Sequence, residues 1–151
     1  MDSYKTRLKD ITTFIFDVDG VMTNGKIIYT HNGKIDRQFY AKDGYAIKLA
    51  IKNNYTIAII TGGREENIKT RFENLGVSEV NLGVHNKLPI LKNFMSKNNL
   101  KKEEVLYMGD DIPDIECLKY VGFSCCPTDA STDVIETVSY THLRAHETRT
   151  Y

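Results

Sequence analysis

Apolar runs of strand length recur along the chain, at Ile11 to Val18, Tyr55 to Thr61 and Val105 to Met108. They read as buried core strands, the first ending in acidic residues. Helical spacing fills the gaps. Asp43 is placed to cap a helix over Gly44 to Lys52. A second helix is expected from about Arg64 to Leu75, with Gly76 as its stop. A third runs from Leu88 to Asn98 with Pro89 near its first turn, and Pro113 opens a fourth that reaches Tyr120. Short strands at Glu79 to Leu82 and Gly122 to Cys126, and a last helix over Ala130 to Thr137, complete the pattern. Strands alternating with helices predict an α/β fold, an open parallel sheet with helices on both faces.

Two stretches depart from that rhythm. Between Gly25 and Phe39, the segment KIIYTHNGKIDRQF holds two alternating runs around His31-Asn32-Gly33. Asn-Gly between such runs predicts a small β-hairpin after the first strand. After about Val138 the chain reads SYTHLRAHETRTY, with little apolar pattern and no capping logic, like translated adapter sequence. One domain is therefore expected over residues 1–138, and 139–151 are expected to be a non-native or disordered tail.

Composition narrows the function classes. Twenty basic and twenty acidic side chains cancel, which speaks against a nucleic-acid or membrane-surface partner. No run approaches the roughly 18 apolar residues of a membrane span. The opening MDSYKTRLKDITTF lacks an apolar signal core, so a cytoplasmic location is expected. Cys117, Cys125 and Cys126 form no C-x-x-C pair and read as buried or reduced thiols rather than a disulfide or zinc site.

Candidate chemistry collects at the ends of the predicted strands, where open α/β sheets bind ligands. Asp17-Val18-Asp19-Gly20 follows the first core strand. Two carboxylates one residue apart would point to opposite faces of an extended strand, but a sharp turn at Gly20 can aim both at one pocket. There they need a cation or a proton. Thr61-Gly62-Gly63 ends the next core strand; a hydroxyl followed by close backbone N–H groups suits a phosphate. Lys87 stands just before a helix and could neutralise a phosphoryl oxygen. Asp110, Asp111 and Asp114 follow the third core strand and read as a Mg²⁺ site with supporting groups, although helix capping accounts for one of them. Singly, each of these has a bland reading as a strand-end turn, a surface lysine or a cap.

As an ordered set, Asp17/Asp19, Thr61, Lys87 and Asp110/Asp114 resemble the four motifs of the haloacid dehalogenase superfamily over roughly residues 11–127. The resemblance implies a Rossmann-like fold and a phosphatase. It makes Asp17 the nucleophile and Asp19 the general acid and base. Mg²⁺ would be held by Asp17, the Asp19 carbonyl and Asp110. Thr61, Gly62 and Lys87 would bind phosphate, with Asp111 and Asp114 in support. Between Asp19 and Thr61 lie 41 residues, and between Thr61 and Lys87 lie 25. Neither stretch can hold a full cap domain, so the site should be open.

More closely, FDVDGVMTNGKIIYTHNGKIDRQFYAKDGYAIKLA, IITGGR and GDDIPD resemble the capless sugar-acid phosphatases, nearest the 3-deoxy-D-manno-octulosonate 8-phosphate phosphatases of lipopolysaccharide precursor synthesis. That likeness implies a small sugar-acid phosphate as substrate and a homotetramer with the hairpins packed together. Lys42, Asp43, Gly44 and Arg64 would then stand beside the sugar acid. The family more often has arginine where Lys42 stands; lysine keeps the charge and loses the bidentate fork. Its glycine-rich closing stretch and Val-Arg pair have no counterpart after Val138, so weaker activity or selectivity is expected. The four motifs handle only phosphate and metal, so a nonulosonate 9-phosphate phosphatase fits them equally. A receiver-type phosphoacceptor domain shares the residue types but would carry its acceptor Asp on a later strand, where YTIAIITGG has none. A non-catalytic scaffold would not be expected to retain both Asp17 and Asp19.

Overall fold

In the computed structural model the described residues are 4–138 and 140–142. The chain forms α1 (Tyr4–Arg7), β1 (Thr13–Phe16), β2 (Ile28–Tyr29), β3 (Ile35–Asp36), α2 (Ala41–Lys52), β4 (Thr56–Ile60), α3 (Glu66–Asn74) and β5 (Glu79–Asn81). It continues through α4 (Lys87–Lys97), β6 (Val105–Met108), α5 (Ile115–Tyr120), β7 (Phe123–Pro127), α6 (Thr132–Thr137) and β8 (Tyr140–His142). Six strands lie in the order β5-β4-β1-β6-β7-β8, every neighbouring pair parallel. The order reverses beside β1, and that reversal is where such sheets bind ligands.

The expected α/β architecture holds, and both faces of the sheet are covered. Along β4, Ile57 and Ile59 pack with Ile47 of α2 and with Ile68 and Phe72 of α3. Ala58 and Ile60 pack on the other face with Leu91 and Phe94 of α4, Leu118 of α5 and Val134 of α6. Double-sided burial explains the unbroken apolar run, and cutting Ile59 back to alanine would cost about 2–5 kcal/mol. The three cysteines are buried and form no disulfide among the described residues; burial first, then neighbouring charge, pushes Cys117 and Cys125 up to about 12.

Register aligns the functional edge. Phe16 pairs with Ile59 on one side and Met108 on the other. Asp17, Thr61 and Asp110 therefore leave the same edge of the sheet. The hairpin forms as the Asn-Gly signal predicts, with Gly33 at φ 76° and Thr30 N–H donating to the Lys34 carbonyl. It is a separate antiparallel pair, β2 with β3, and leaves Tyr29 76% exposed.

Several boundaries differ from the sequence reading. Helix α2 begins at Ala41, not Gly44, so Asp43 sits inside its first turn and Tyr40 takes the cap position without a side-chain hydrogen bond. Helix α3 begins at Glu66, which leaves Arg64 in the preceding loop. Pro113 belongs to a 3₁₀ turn, Ile112–Asp114, that leads into α5. The N-terminal segment, unread in the sequence, is anchored by Arg7, which donates to the Gly122 carbonyl and stacks 5.2 Å from the Phe123 ring. Strand β8 lies within the expected tail; Ser139 and residues 143–151 are outside the described residues.

Candidate active site

Immediately after β1 the backbone coils tightly. The Val18 carbonyl accepts from Val21, Met22 and Thr23 N–H at 3.2, 2.8 and 3.2 Å, and Gly20 adopts φ 88°. That turn brings Asp17 and Asp19 to one cleft of about 320 Å³, which Thr61, Gly62, Lys87, Asp110, Asp111 and Asp114 also line. Gly20 has a second role, because a Cβ there would fall 1.7 Å from Asp110 Oδ2. Only a glycine leaves room for that carboxylate.

Asp17 is buried, and Val18 N–H (2.7 Å) and Lys87 Nζ (3.0 Å) converge on its Oδ1. Burial raises its pKa, the Asp114 charge adds to that, and Lys87 only partly offsets them; the net position is about 7. Lys87 extends from the first residue of α4 and is 4% exposed. Burial opposes its charge, but Asp17 and Asp114 outweigh it and raise its pKa. Thr61 is buried, and its Oγ1 accepts from Gly63 N–H at 3.1 Å, which orients the hydroxyl at the cleft floor.

Asp114 organises the far wall. Its Oδ1 accepts from Lys87 Nζ and Tyr107 OH, each at 2.8 Å, and its Oδ2 from the backbone N–H groups of Asp110 (3.1 Å) and Asp111 (3.3 Å). Four bonds fill the lone-pair capacity of a carboxylate. Burial, and then Asp114, hold the Tyr107 hydroxyl well above its ordinary pKa, so it serves as a neutral donor. Asp111 caps the 3₁₀ turn, accepting from Ile112 N–H at 2.8 Å.

Oxygen atoms of Asp17, Asp110 and Asp114 lie within 4.8 Å of one another. Hard carboxylate donors at that spacing suit Mg²⁺, and a divalent charge would relieve the desolvation that raises Asp17. Asp114 already accepts four hydrogen bonds, so of the three carboxylates it is the least able to take up an ion.

Other expectations fare differently. Asp43 and Gly44 line a separate small hollow with Phe39 and Arg71, and none of Lys42, Asp43 and Gly44 lines the cleft. Arg64 stands at the rim, 2.8 Å from His85 Nε2, and His85 lines the cleft. The sequence reading missed Arg37, which pairs with Asp19 and with Glu65. Burial tends to raise the Glu65 pKa, but the hydrogen bond from Arg37 brings it below the ordinary value. Tyr107, inside an apolar strand, also gave no local signal.

A family model described as haloacid dehalogenase-like hydrolase matches residues 26–127. The chain is 34% identical to the 3-deoxy-D-manno-octulosonate 8-phosphate phosphatase KdsC of Salmonella typhi, over 91% of this chain and 74% of that protein. The Yersinia pestis crystal structure of a phosphatase of that name superposes with a TM-score of 0.87 at 32% identity, covering 89% of this chain and 73% of that one. The Moraxella catarrhalis one, in complex with magnesium, phosphate and KDO, also gives 0.87 at 29% identity, over 90% and 78%.

Proposed function

The chain belongs to the haloacid dehalogenase-like hydrolases, and from that premise we propose that it is a Mg²⁺-dependent phosphatase acting on 3-deoxy-D-manno-octulosonate 8-phosphate. The observation that carries this reading is the Asp17 carboxylate. It is buried beside Lys87 and Asp114, its Oδ1 is fixed by two donors, and it faces a cleft whose other wall offers Asp110. The names of the relatives and the sugar acid in the Moraxella structure support the choice of substrate.

In this mechanism an Asp17 oxygen attacks phosphorus as the P–O bond to the sugar breaks, giving an aspartyl-phosphate. Asp19 hands a proton to the departing sugar oxygen, then takes one from the water that hydrolyses the intermediate. The Thr61 hydroxyl and the Gly62 backbone hold phosphoryl oxygens, and the Lys87 ammonium offsets their charge. A bound Mg²⁺, held by Asp17, Asp110 and the Asp19 carbonyl, supplies charge neutralisation between nucleophile and phosphate.

The scaffold leaves the cleft open, which fits a large substrate or cover by a neighbouring subunit. Only the hairpin and α2 separate Asp19 from β4, so no inserted domain roofs the site. Exposed Ile27, Ile28 and Tyr29 on the hairpin support assembly into a homotetramer. Among the described residues no helix is long and apolar enough to cross a membrane, in keeping with a cytoplasmic enzyme supplying lipopolysaccharide precursors. The test is kcat/KM with Mg²⁺ on the eight-carbon 8-phosphate and on a nonulosonate 9-phosphate. At least about tenfold preference for the former is expected, about 1.4 kcal/mol of transition-state discrimination. The opposite preference moves the substrate to the nine-carbon acid, and no phosphate release from either refutes the reading.

A further inference from the structure

Arg37 leaves the hairpin directly after β3 and turns inward. Its Nε lies 2.6 Å from Asp19 Oδ1, its Nη2 3.0 Å from Asp19 Oδ2, and its Nη1 2.6 Å from Glu65 Oε2. The Arg37 side chain is 4% exposed, whereas those of Asp19 and Glu65 are 31% and 25% exposed. Glu65 is itself held, since its Oε2 also accepts from Arg64 N–H at 3.2 Å. Gly63 leaves room beside it: a Cβ there would stand 3.0 Å from Arg37 Nη2. Two segments distant in sequence, at Asp19 and at Gly63 to Glu65, thus converge on one guanidinium.

Stability alone is a weak reason for such an arrangement. An ion pair whose carboxylates remain a quarter to a third exposed contributes little stability by itself. The geometry has a more specific consequence. A two-pronged guanidinium contact fixes the plane and rotamer of a carboxylate, which a single-point lysine contact does not. It takes one lone pair from each Asp19 oxygen and leaves the other on each. Asp19 is therefore immobilised while keeping acceptor sites toward the cleft it lines. It stands next to Gly20, in a turn with no regular secondary structure to hold it.

We propose that Arg37 is a positioning residue for Asp19, braced by Glu65, and that it sets the efficiency of the leaving-group step. This rests on the reading of Asp19 as the acid and base. The hairpin thereby contributes to the cleft from within the same chain, through a side chain that touches Asp19.

The test compares Arg37→Met, Arg37→Lys and Asp19→Asn with the unaltered enzyme under saturating Mg²⁺. Two substrates are used: the sugar-acid phosphate that the enzyme hydrolyses fastest, whose alcohol is a poor leaving group, and p-nitrophenyl phosphate, whose phenolate needs little protonation. For Arg37→Met, kcat on the sugar-acid phosphate should fall about 10–100-fold, the scale of a misplaced catalytic group. The fall on p-nitrophenyl phosphate should be about threefold or less, with KM little changed on both. Arg37→Lys should restore part of the lost rate. If Met does not fold, as judged by its thermal transition, Lys alone must still show a larger loss on the sugar-acid phosphate. Equal losses on the two substrates, or none, overturn the proposal. The Asp19→Asn arm separates the causes. If that variant discriminates between the substrates and the Arg37 variants do not, only the Arg37 role falls. If Asp19→Asn itself loses both rates equally, the acid role of Asp19 falls and the Arg37 proposal with it.

Discussion

Lys87 Nζ lies 2.8 Å from Asp114 Oδ1 and 3.0 Å from Asp17 Oδ1, so one buried ammonium joins the proposed nucleophile to the carboxylate that organises the opposite wall. The pairing makes Asp114 a structural keystone. Asp114→Ala would leave Lys87 with Asp17 as its one carboxylate and would take the partner from the buried Tyr107 hydroxyl and from the N–H groups of Asp110 and Asp111. A loss of about 3–5 kcal/mol is expected, the cost of breaking a buried charge pair. Urea unfolding measures it, and a loss under about 1 kcal/mol would show that water takes over those bonds.

Asp17→Asn keeps the shape and removes the nucleophilic charge. Turnover should fall to background while the thermal transition holds or rises, because the substitution removes a carboxylate whose burial is unfavourable. Phosphate release and circular dichroism report the two effects. Measurable steady turnover by this variant would remove Asp17 from the nucleophile position.

The raised pKa of Asp17 has a signed consequence. Below about pH 4 the group is protonated in both the folded and the unfolded chain. Between its ordinary 3.8 and about 7, the unfolded chain has released the proton and the folded chain keeps it. In the metal-free protein this group therefore lowers stability progressively as pH rises through that window, and the effect levels off above it. Mg²⁺ favours the deprotonated carboxylate, so the rise in Tm on adding the ion should be larger at pH 8 than at pH 5. An equal rise at both values would mean that the ion does not bind at Asp17.

Gly20→Ala should act on the metal rather than on the fold core. Its Cβ would meet Asp110 Oδ2 at 1.7 Å, and its φ of 88° disfavours any side chain. We expect Mg²⁺ affinity to fall about 10–100-fold, the usual scale for disturbing ligand support. Isothermal titration decides it; unchanged affinity would place the ion away from Asp110.

Replacing Tyr29 with Asp puts a charge on a hairpin strand whose apolar side chains are open to solvent. Sedimentation of the unaltered chain should give a tetramer, and the variant a smaller species. A unaltered chain that sediments as a monomer would leave the hairpin without that role.

Much of the architecture was legible because it is local. Unbroken apolar runs, Gly76 at φ 97° ending the α3 segment, and the Asn-Gly turn each act within a few residues. Boundaries were less legible where contacts decided them. Asp43 has the composition of a cap, yet α2 begins two residues before it. Gly44 is packed so closely that a Cβ would meet Arg71 Nη2 at 2.7 Å. That contact belongs to tertiary packing and leaves no periodic trace.

The sequence by itself determined the chemistry on offer: carboxylates, a hydroxyl, glycines and a lysine in a set order at strand ends. Tertiary structure decided which of them meet. Parallel register brought Asp17, Thr61 and Asp110 to one edge, four hydrogen bonds occupied Asp114, and the chain after the hairpin placed Arg37 on Asp19. Asp43 and Gly44 face another hollow. Periodicity encodes which face of an element is apolar. Convergence of side chains from distant segments depends on strand register and on the cost of leaving a buried charge unmatched, and neither is written in any short stretch of chain.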